Sequence, residues 1–414
     1  MKIKDKGMDR RTFLKATGIG GASSALSIGL SDKVLSSESN DKSSTRGMPS
    51  RILGRTKFQG SILAQGGGVD FTINQNILRV ASNMGINIWD SAPNYENGKS
   101  EIGIGQYFEK YPEERKKIFL ISKPGMGKES ELEEELKTSL ERMKQDYLDA
   151  FMLHGSSKPE ILTPELKASV ERLKKQGRIK FFGFSCHANM EQMLVHAAKI
   201  AWIDVIMFSY NYNIMNNDGI KRAVDACKDA DIGLIAMKSQ ALNAYVETPY
   251  RPLGEVKDID LVLAESFMAK GFIAQQAKLK AIWTDERIHS VASQMKNFAV
   301  LKSNYDAATD RVQLTKSDMD MLNMLAKVNC SSYCNGCLSC ELAMKSESRI
   351  HDIMRYMMYY NSYGEKNEAR SMFSVLPESI RKNLTSRDYS PAERACPNKI
   401  KISEVMKEAA RVLS

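Results

Sequence analysis

Four side chains with complementary proton chemistry stand where short apolar runs end. Asp90 closes Asn87-Ile88-Trp89-Asp90, and Tyr95 follows it after Ser91-Ala92-Pro93-Asn94. Lys123 follows Phe119-Leu120-Ile121-Ser122, and His154 follows Phe151-Met152-Leu153. A phenol titrates near ~10 in water. A neighbouring ammonium favours the phenolate, so Lys123 is expected to lower that value and make Tyr95 a proton donor near neutrality. Asp90 would keep Lys123 charged and fixed, and His154 would hydrogen-bond a substrate oxygen. The set suits reduction of a carbonyl, with a reduced nicotinamide delivering hydride and the protein supplying orientation. A lone lysine after a strand is ordinarily solvated, and a lone histidine near a core is ordinarily structural. The joint placement on consecutive strands carries the reading.

A second group lies near the C-terminus. Cys330-Ser-Ser-Tyr-Cys334-Asn-Gly-Cys337-Leu-Ser-Cys340 is followed much later by Cys396-Pro397. C-x2-C-x2-C with a distant Cys-Pro is ferredoxin-like ligation. It assigns one [4Fe–4S] cluster to Cys334, Cys337, Cys340 and Cys396. Four-thiolate zinc and disulfides are the alternatives. Cys330 is left over as a substitute ligand, a neighbouring thiol or a residue without a role in the site. Cys186 and Cys227 read as small buried hydrophobes. The Met/Tyr-rich stretch Met354–Tyr363 reads as core of the tail, and His187, His196, His289 and His351 read as solvated or core.

Something must hold the first four groups at one place. Eight apolar runs read as strands: Ser61–Ala64, Ile86–Trp89, Ile118–Ile121, Ala150–Leu153, Ile179–Phe184, Val205–Phe208, Ile232–Met237 and Ile288–Ala292. Amphipathic stretches lie between them. Glu131–Arg142 places Leu132, Leu136, Leu140 and Met143 at helical spacing, and Leu166–Lys175, Met190–Ile200 and Gln275–Trp283 are similar. Alternating strands and helices predict a parallel sheet with right-handed crossovers. Eight units predict a (β/α)8 barrel of about 250 residues with its chemistry at the C-terminal strand ends. An open doubly wound sheet is the alternative, but Gly66-Gly67-Gly68 lacks the G-x-G-x-x-G spacing. After about residue 312 the alternation stops, and a mostly helical tail over residues 313–414 is expected to carry the cysteines.

At this point the chain resembles a known family. Asn87-Ile88-Trp89-Asp90-Ser91-Ala92 with Tyr95, Ser122-Lys123, Asp149 to His154, Gly183-Phe184-Ser185 and Ala236-Met237-Lys238 are similar to the aldo/keto reductases, over about residues 51–312. The resemblance implies a (β/α)8 barrel that binds NADP (or NAD) without a Rossmann fold. It implies a catalytic tetrad of Asp90, Tyr95, Lys123 and His154. It implies cofactor contacts from Ser185 and Asn211 at the nicotinamide, from Lys238, from Ser293 and Gln294 at the pyrophosphate, and from Asn304 at the adenine side. Departures stand beside these. Ser293-Gln294 replaces a common Pro-Gly pair, Val300 stands where an arginine is common with Lys302 as its substitute, and Met207 stands near the place of a nicotinamide-binding glutamine. A subgroup of the family carries a ferredoxin-like extension, and residues 330–402 look similar. Many members hold eight cysteines and two clusters there; this chain keeps the first trio and the last Cys-Pro.

The N-terminus reads as an address. Asp9-Arg10-Arg11-Thr12-Phe13-Leu14-Lys15 and the small, apolar run Ala16–Leu30 resemble a twin-arginine export signal over residues 1–30, followed by a Ser/Asp/Lys-rich linker to residue 50. The expected destination is periplasmic or extracytoplasmic, with the twin-arginine machinery as a partner and no membrane span in the mature chain. Of the 414 residues 43% are hydrophobic and 26% charged, which excludes wholesale disorder. The net charge of +9 is spread without a dense basic block, so nucleic acid is not an expected partner. The first reading is a reductase of small carbonyls or alcohols, a sugar or small aldehyde being within the family's range, fused to a one-cluster tail. A hydride carries two electrons and one cubane carries one, so direct coupling between them calls for a flavin or an electron-transfer partner. The other reading is a non-catalytic relay or binding protein on a retired reductase barrel.

Overall fold

The computed structural model describes residues 47–124, 131–240, 266–271, 273–329, 333–344 and 347–414. The twin-arginine segment, Cys330 and most of the loop after residue 240 lie outside the described residues. An antiparallel hairpin opens the described chain, β1 (Ser50–Ile52) with β2 (Gln59–Ser61), Ser50 opposite Ser61. Eight parallel strands follow: β3 (Leu63–Gln65), β4 (Ile88–Asp90), β5 (Phe119–Ser122), β6 (Leu148–Leu153), β7 (Ile179–Cys186), β8 (Val205–Ser209), β9 (Gly233–Met237) and β10 (Ser290–Ser293). Each pairs with the next, and β10 pairs with both β9 (Ser290 opposite Ile235) and β3 (Val291 opposite Leu63). The sheet is therefore a closed barrel, and the open-sheet alternative falls.

Strand alternation divides the apolar residues between two cores. Phe119 and Ile121 of β5 join Ala150, Met152, Val205 and Ile235 inside the barrel, while Leu120 and Phe151 face the surrounding helices. Leu53 and Phe58, from the hairpin, join the interior group at the strands' N-terminal ends. The helix Leu132–Met143 buries Leu132, Leu136, Leu140 and Met143 on one stripe. Local caps set the helix starts: Thr163 accepts from Leu166 ahead of Pro164–Lys175, Asn217 from Ile220, and Asn297 from Val300.

Beyond the barrel come the helices Lys316–Asn329, Ser339–Ala343, Ile350–Met358, Lys366–Ser374, Glu378–Lys382, Ser390–Ala395 and Ile402–Val412. Ile350, Ile353, Met357, Phe373, Ile402, Val405 and Met406 are buried at their centre. The tail sits on the C-terminal strand ends. Asn189 N donates to Gly336 O at 2.6 Å, Lys296 pairs with Glu365 at 2.8 Å, and Asn211 donates to Tyr333 at 2.7 Å. Gly336 has φ +71, and a Cβ there would lie 2.4 Å from His187 O. No helix among the described residues is long and apolar enough to cross a membrane.

The tightest backbone approach in the barrel is at Gly183 of β7, where a Cβ would lie 1.6 Å from Val205 O. Gly183→Ala is expected to force β7 from β8 and to cost about 1–3 kcal/mol or more. Urea unfolding checks this; a midpoint equal to wild type would refute the packing argument.

Candidate active site

The end of β4 and the end of β5 meet through the register that puts Asp90 opposite Ile121. Lys123 is buried at 1% exposure and Asp90 at 4%. The ammonium donates to Asp90 Oδ1 and, at 2.9 Å, to Ser91 O. Burial pushes the Asp90 carboxyl up and the Lys123 ammonium down, and the attraction between the two charges opposes both shifts.

Tyr95 stands on the turn after β4. Glu96 and Asn97 both have positive φ, 49° and 54°, in the left-handed region that costs a non-glycine residue roughly 1–2 kcal/mol. A buried network holds this strained turn. Glu101, fully buried, accepts from Ser122 Oγ at 2.7 Å and pairs with Arg142 at 3.2 Å, and Arg142 donates to Pro93 O at 3.1 Å.

The Tyr95 ring lies edge-on to His154, centroids 5.6 Å apart at 87°, and Lys123 Nζ lies 4.9 Å from its centroid. All four predicted catalytic groups therefore share one mouth. No hydrogen bond joins the phenol to Lys123 or His154, and the ammonium stands 4.9 Å from the ring centroid. The lowering that Lys123 is expected to exert on the Tyr95 pKa is outweighed. Burial raises it well above 10, and the charge of Asp90 raises it further. The phenol is held protonated. Burial, with the charges of Lys123, Arg355 and Lys238, lowers His154 to about 3, so its imidazole is neutral.

The six predicted cofactor contacts fall in two groups around the same rim. Ser185 Oγ accepts from Gly155 N at 2.9 Å, bracing the loop after His154. Asn211 Nδ2 donates to Lys238 O at 3.2 Å and to Tyr333 Oη at 2.7 Å, and its Oδ1 accepts from Asn213 N at 3.0 Å. Lys238 Nζ donates to Tyr359 Oη at 2.8 Å. On the far side, Ser293 donates to Gln240 at 3.0 Å, Gln240 to Asn304 at 3.0 Å, and Asn304 to Ser293 at 2.9 Å, a closed ring of three. Gln294 donates to Gly68 O. Lys302 is paired with Asp306 at 2.7 Å.

Buried amide and hydroxyl groups of this kind suit a carboxamide and a sugar-phosphate chain. Gln65 Oε1, buried without a partner at the end of β3, adds a waiting acceptor. The residue types therefore fit a nicotinamide dinucleotide, whose carboxamide would compete with Tyr333 for Asn211. Sequence reasoning missed Glu101, Arg142, Gln240, Tyr333, Tyr359 and Arg355. Each acts through a contact distant in the chain, and no local pattern announces it.

The tail's four predicted ligands, Cys334, Cys337, Cys340 and Cys396, line one recess with an empty volume of about 360 Å³. They are free thiols, and no disulfide joins the described cysteines. Among the described residues no group of three or more His, Cys, Asp or Glu is drawn together tightly enough to hold a metal ion.

A closed eight-stranded parallel barrel with a phenol, an imidazole and a buried ammonium–carboxylate pair at its C-terminal mouth defines a proton-transfer site of the reductase type. The chain belongs to the Aldo/keto reductase family, whose model matches residues 52–323. It is 28% identical over 195 residues to an aldo-keto reductase of Fusarium vanettenii, covering 38% of this chain and 52% of that one. It is 33% identical over 141 residues to the NADH-specific methylglyoxal reductase of Escherichia coli, covering 29% and 43%. The aligned part thus spans about half the length of these curated relatives. In fold it is similar to the holo form of the aldo-keto reductase AKR11C1 from Bacillus halodurans, with TM-score 0.54, 22% identity, 67% of this chain covered and 96% of that chain.

A neutral His154 makes a measurable claim. An imidazole protonated only below its usual range loses its share of folding stability as pH falls, because the unfolded chain then binds the proton that the folded chain refuses. Its ring resonances are expected to keep neutral shifts from about pH 8 to about pH 5. NMR of selectively labelled histidine, assigned with His154→Gln, checks this; a midpoint near neutrality would refute it.

Proposed function

We propose that this protein is an NAD(P)H-dependent reductase of small carbonyl compounds, or with the oxidised cofactor as hydride acceptor a dehydrogenase of the corresponding alcohols, that carries one [4Fe–4S] cluster in its tail and is exported by the twin-arginine route. The observation that carries the catalytic part is the meeting of Tyr95, His154 and the Lys123–Asp90 pair at one mouth. Similarity to the methylglyoxal reductase favours a small carbonyl substrate. When bound, a reduced nicotinamide supplies hydride to a carbonyl carbon. Ser185 and Asn211 would hold its carboxamide, and Ser293, Gln294 and Asn304 its remainder.

The chain's own residues do the rest. Tyr95, held protonated, gives its hydroxyl proton to the carbonyl oxygen as the carbon is reduced, and recovers it from water. Neutral His154 donates a hydrogen bond to that oxygen and orients it. Lys123, fixed by Asp90 and Ser91 O, offers the nearby positive charge that steadies the transient phenolate.

Four free thiols around one recess support the cluster. In a cubane each thiolate takes its own iron, so the ligands stand wider apart than around a single zinc ion. The second reading, a relay on a retired barrel, draws on one observation: Asn211 is already committed to Tyr333.

Two experiments separate these. Tyr95→Phe is expected to quench its fluorescence with NADPH as wild type does and to lose about 10²–10⁴-fold in kcat; failure of wild type to bind NADPH favours the relay. Anaerobically purified protein is expected to show the broad visible absorption of an iron–sulfur cluster, with about four irons per chain, and Cys396→Ser to lose most of that iron. Stoichiometric zinc without iron would refute the cluster.

A further inference from the structure

Between the barrel mouth and the tail lies a partly open cleft, lined among others by His187, Ser209, Lys238, Tyr333, His351 and Arg355. Two cations face it, one from each part of the chain. Lys238, at the end of β9, has its ammonium on Tyr359 Oη at 2.8 Å and over the rings of Tyr359 and Tyr363 at 4.1 and 5.3 Å. It forms no ion pair with any described carboxylate. Glu368 acts on it from a greater distance, and burial raises that carboxyl's pKa.

Arg355 donates from Nη2 to Asp352 at 2.9 Å, and Asp352 also lies 3.5 Å from His351 Nε2. Arg355 Nε is buried with no hydrogen-bond partner. Arg355 is paired with Asp352 but keeps an unpartnered Nε–H, while Lys238 is met by a phenol alone, so the cleft holds one cation that no carboxylate answers. A partly buried cation of this kind gains from an incoming anion. The imidazoles of His154 and His187 feel both charges, so the cleft and the catalytic mouth share one positive field.

We infer that this cleft is an anion site, and that the compound reduced at Tyr95 carries a carboxylate or phosphate group held there by Lys238 and Arg355. Arg355 offers such an oxyanion its unpartnered Nε–H, beside the Nη2 that Asp352 holds. The substrate half of the inference rests on the reductase reading; the anion site does not.

Calorimetric titration of the full-length, anaerobically purified protein with inorganic phosphate, and separately with malonate, at fixed ionic strength tests the site. Saturable binding of one anion per chain is expected. Lys238→Met and Arg355→Met should each weaken it at least ~10-fold, and Arg355→Lys should retain part of it. The stronger of the two probes identifies the group. No saturable heat, affinity unchanged in both methionine variants, or an anion displaced by NADPH would overturn the site. A kinetic arm compares succinic semialdehyde with uncharged butyraldehyde. Wild type should prefer the charged aldehyde, and Arg355→Met should lower the ratio of their kcat/KM values at least ~10-fold. Equal kcat/KM in wild type overturns the substrate half. Turnover of neither aldehyde overturns the reductase reading together with that half, and the calorimetry then decides the anion site alone.

Discussion

An ammonium at 1% exposure is tolerated only where something answers its charge. For Lys123 that answer is Asp90 on the neighbouring strand, with Ser91 O beside it. The pair constrains everything around it. It requires β4 and β5 to keep the register that sets Asp90 opposite Ile121. It requires the chain to leave β4 by a turn that returns Tyr95 over the ammonium, which is why left-handed Glu96 and Asn97 are accepted and why Glu101 and Arg142 are spent on holding the turn. A one-residue slip in either strand would turn one charge outward and strand the other in the core.

What the sequence displayed follows the same division. Strands were legible because each is a short apolar run with turn residues after it, and the catalytic groups because each stands at a strand's C-terminal end. β6 and β7 run longer than their apolar cores suggest, beginning at Leu148 and ending at Cys186, because ladder pairing extends into polar flanks such as Asp149. The direction of the Tyr95 shift was not legible. It depends on how far burial and the charge of Asp90 outweigh Lys123, and spacing does not encode how deeply the packed chain buries the phenol. Tyr333 on Asn211 was not legible either: the partners are 122 residues apart, and nothing in Ser-Tyr-Cys marks the phenol as a plug for a barrel.

The Met/Tyr-rich stretch shows the limit of a one-role reading. Met354, Met357 and Met358 are core, as their apolar character suggests. The wide helical turn that follows, Tyr359–Tyr363, instead brings phenols against Lys238 at the rim. Such π-type turns recur where a helix must shift its facing residues. Here the shift converts a packing helix into a wall of the active-site mouth.

Tail and barrel therefore cannot be treated as separate functions. Cys334 and His351 line both the thiol recess and the cleft over the mouth, and Tyr333, next to Cys334, reaches Asn211. Gly336, between Cys334 and Cys337, packs against His187 O with no space for a side chain. The loop is tied at two points, Asn189 N donating to Gly336 O at 2.6 Å and Asn398 to Tyr333 O at 2.6 Å, so the segment that carries the thiols also positions the phenol on Asn211.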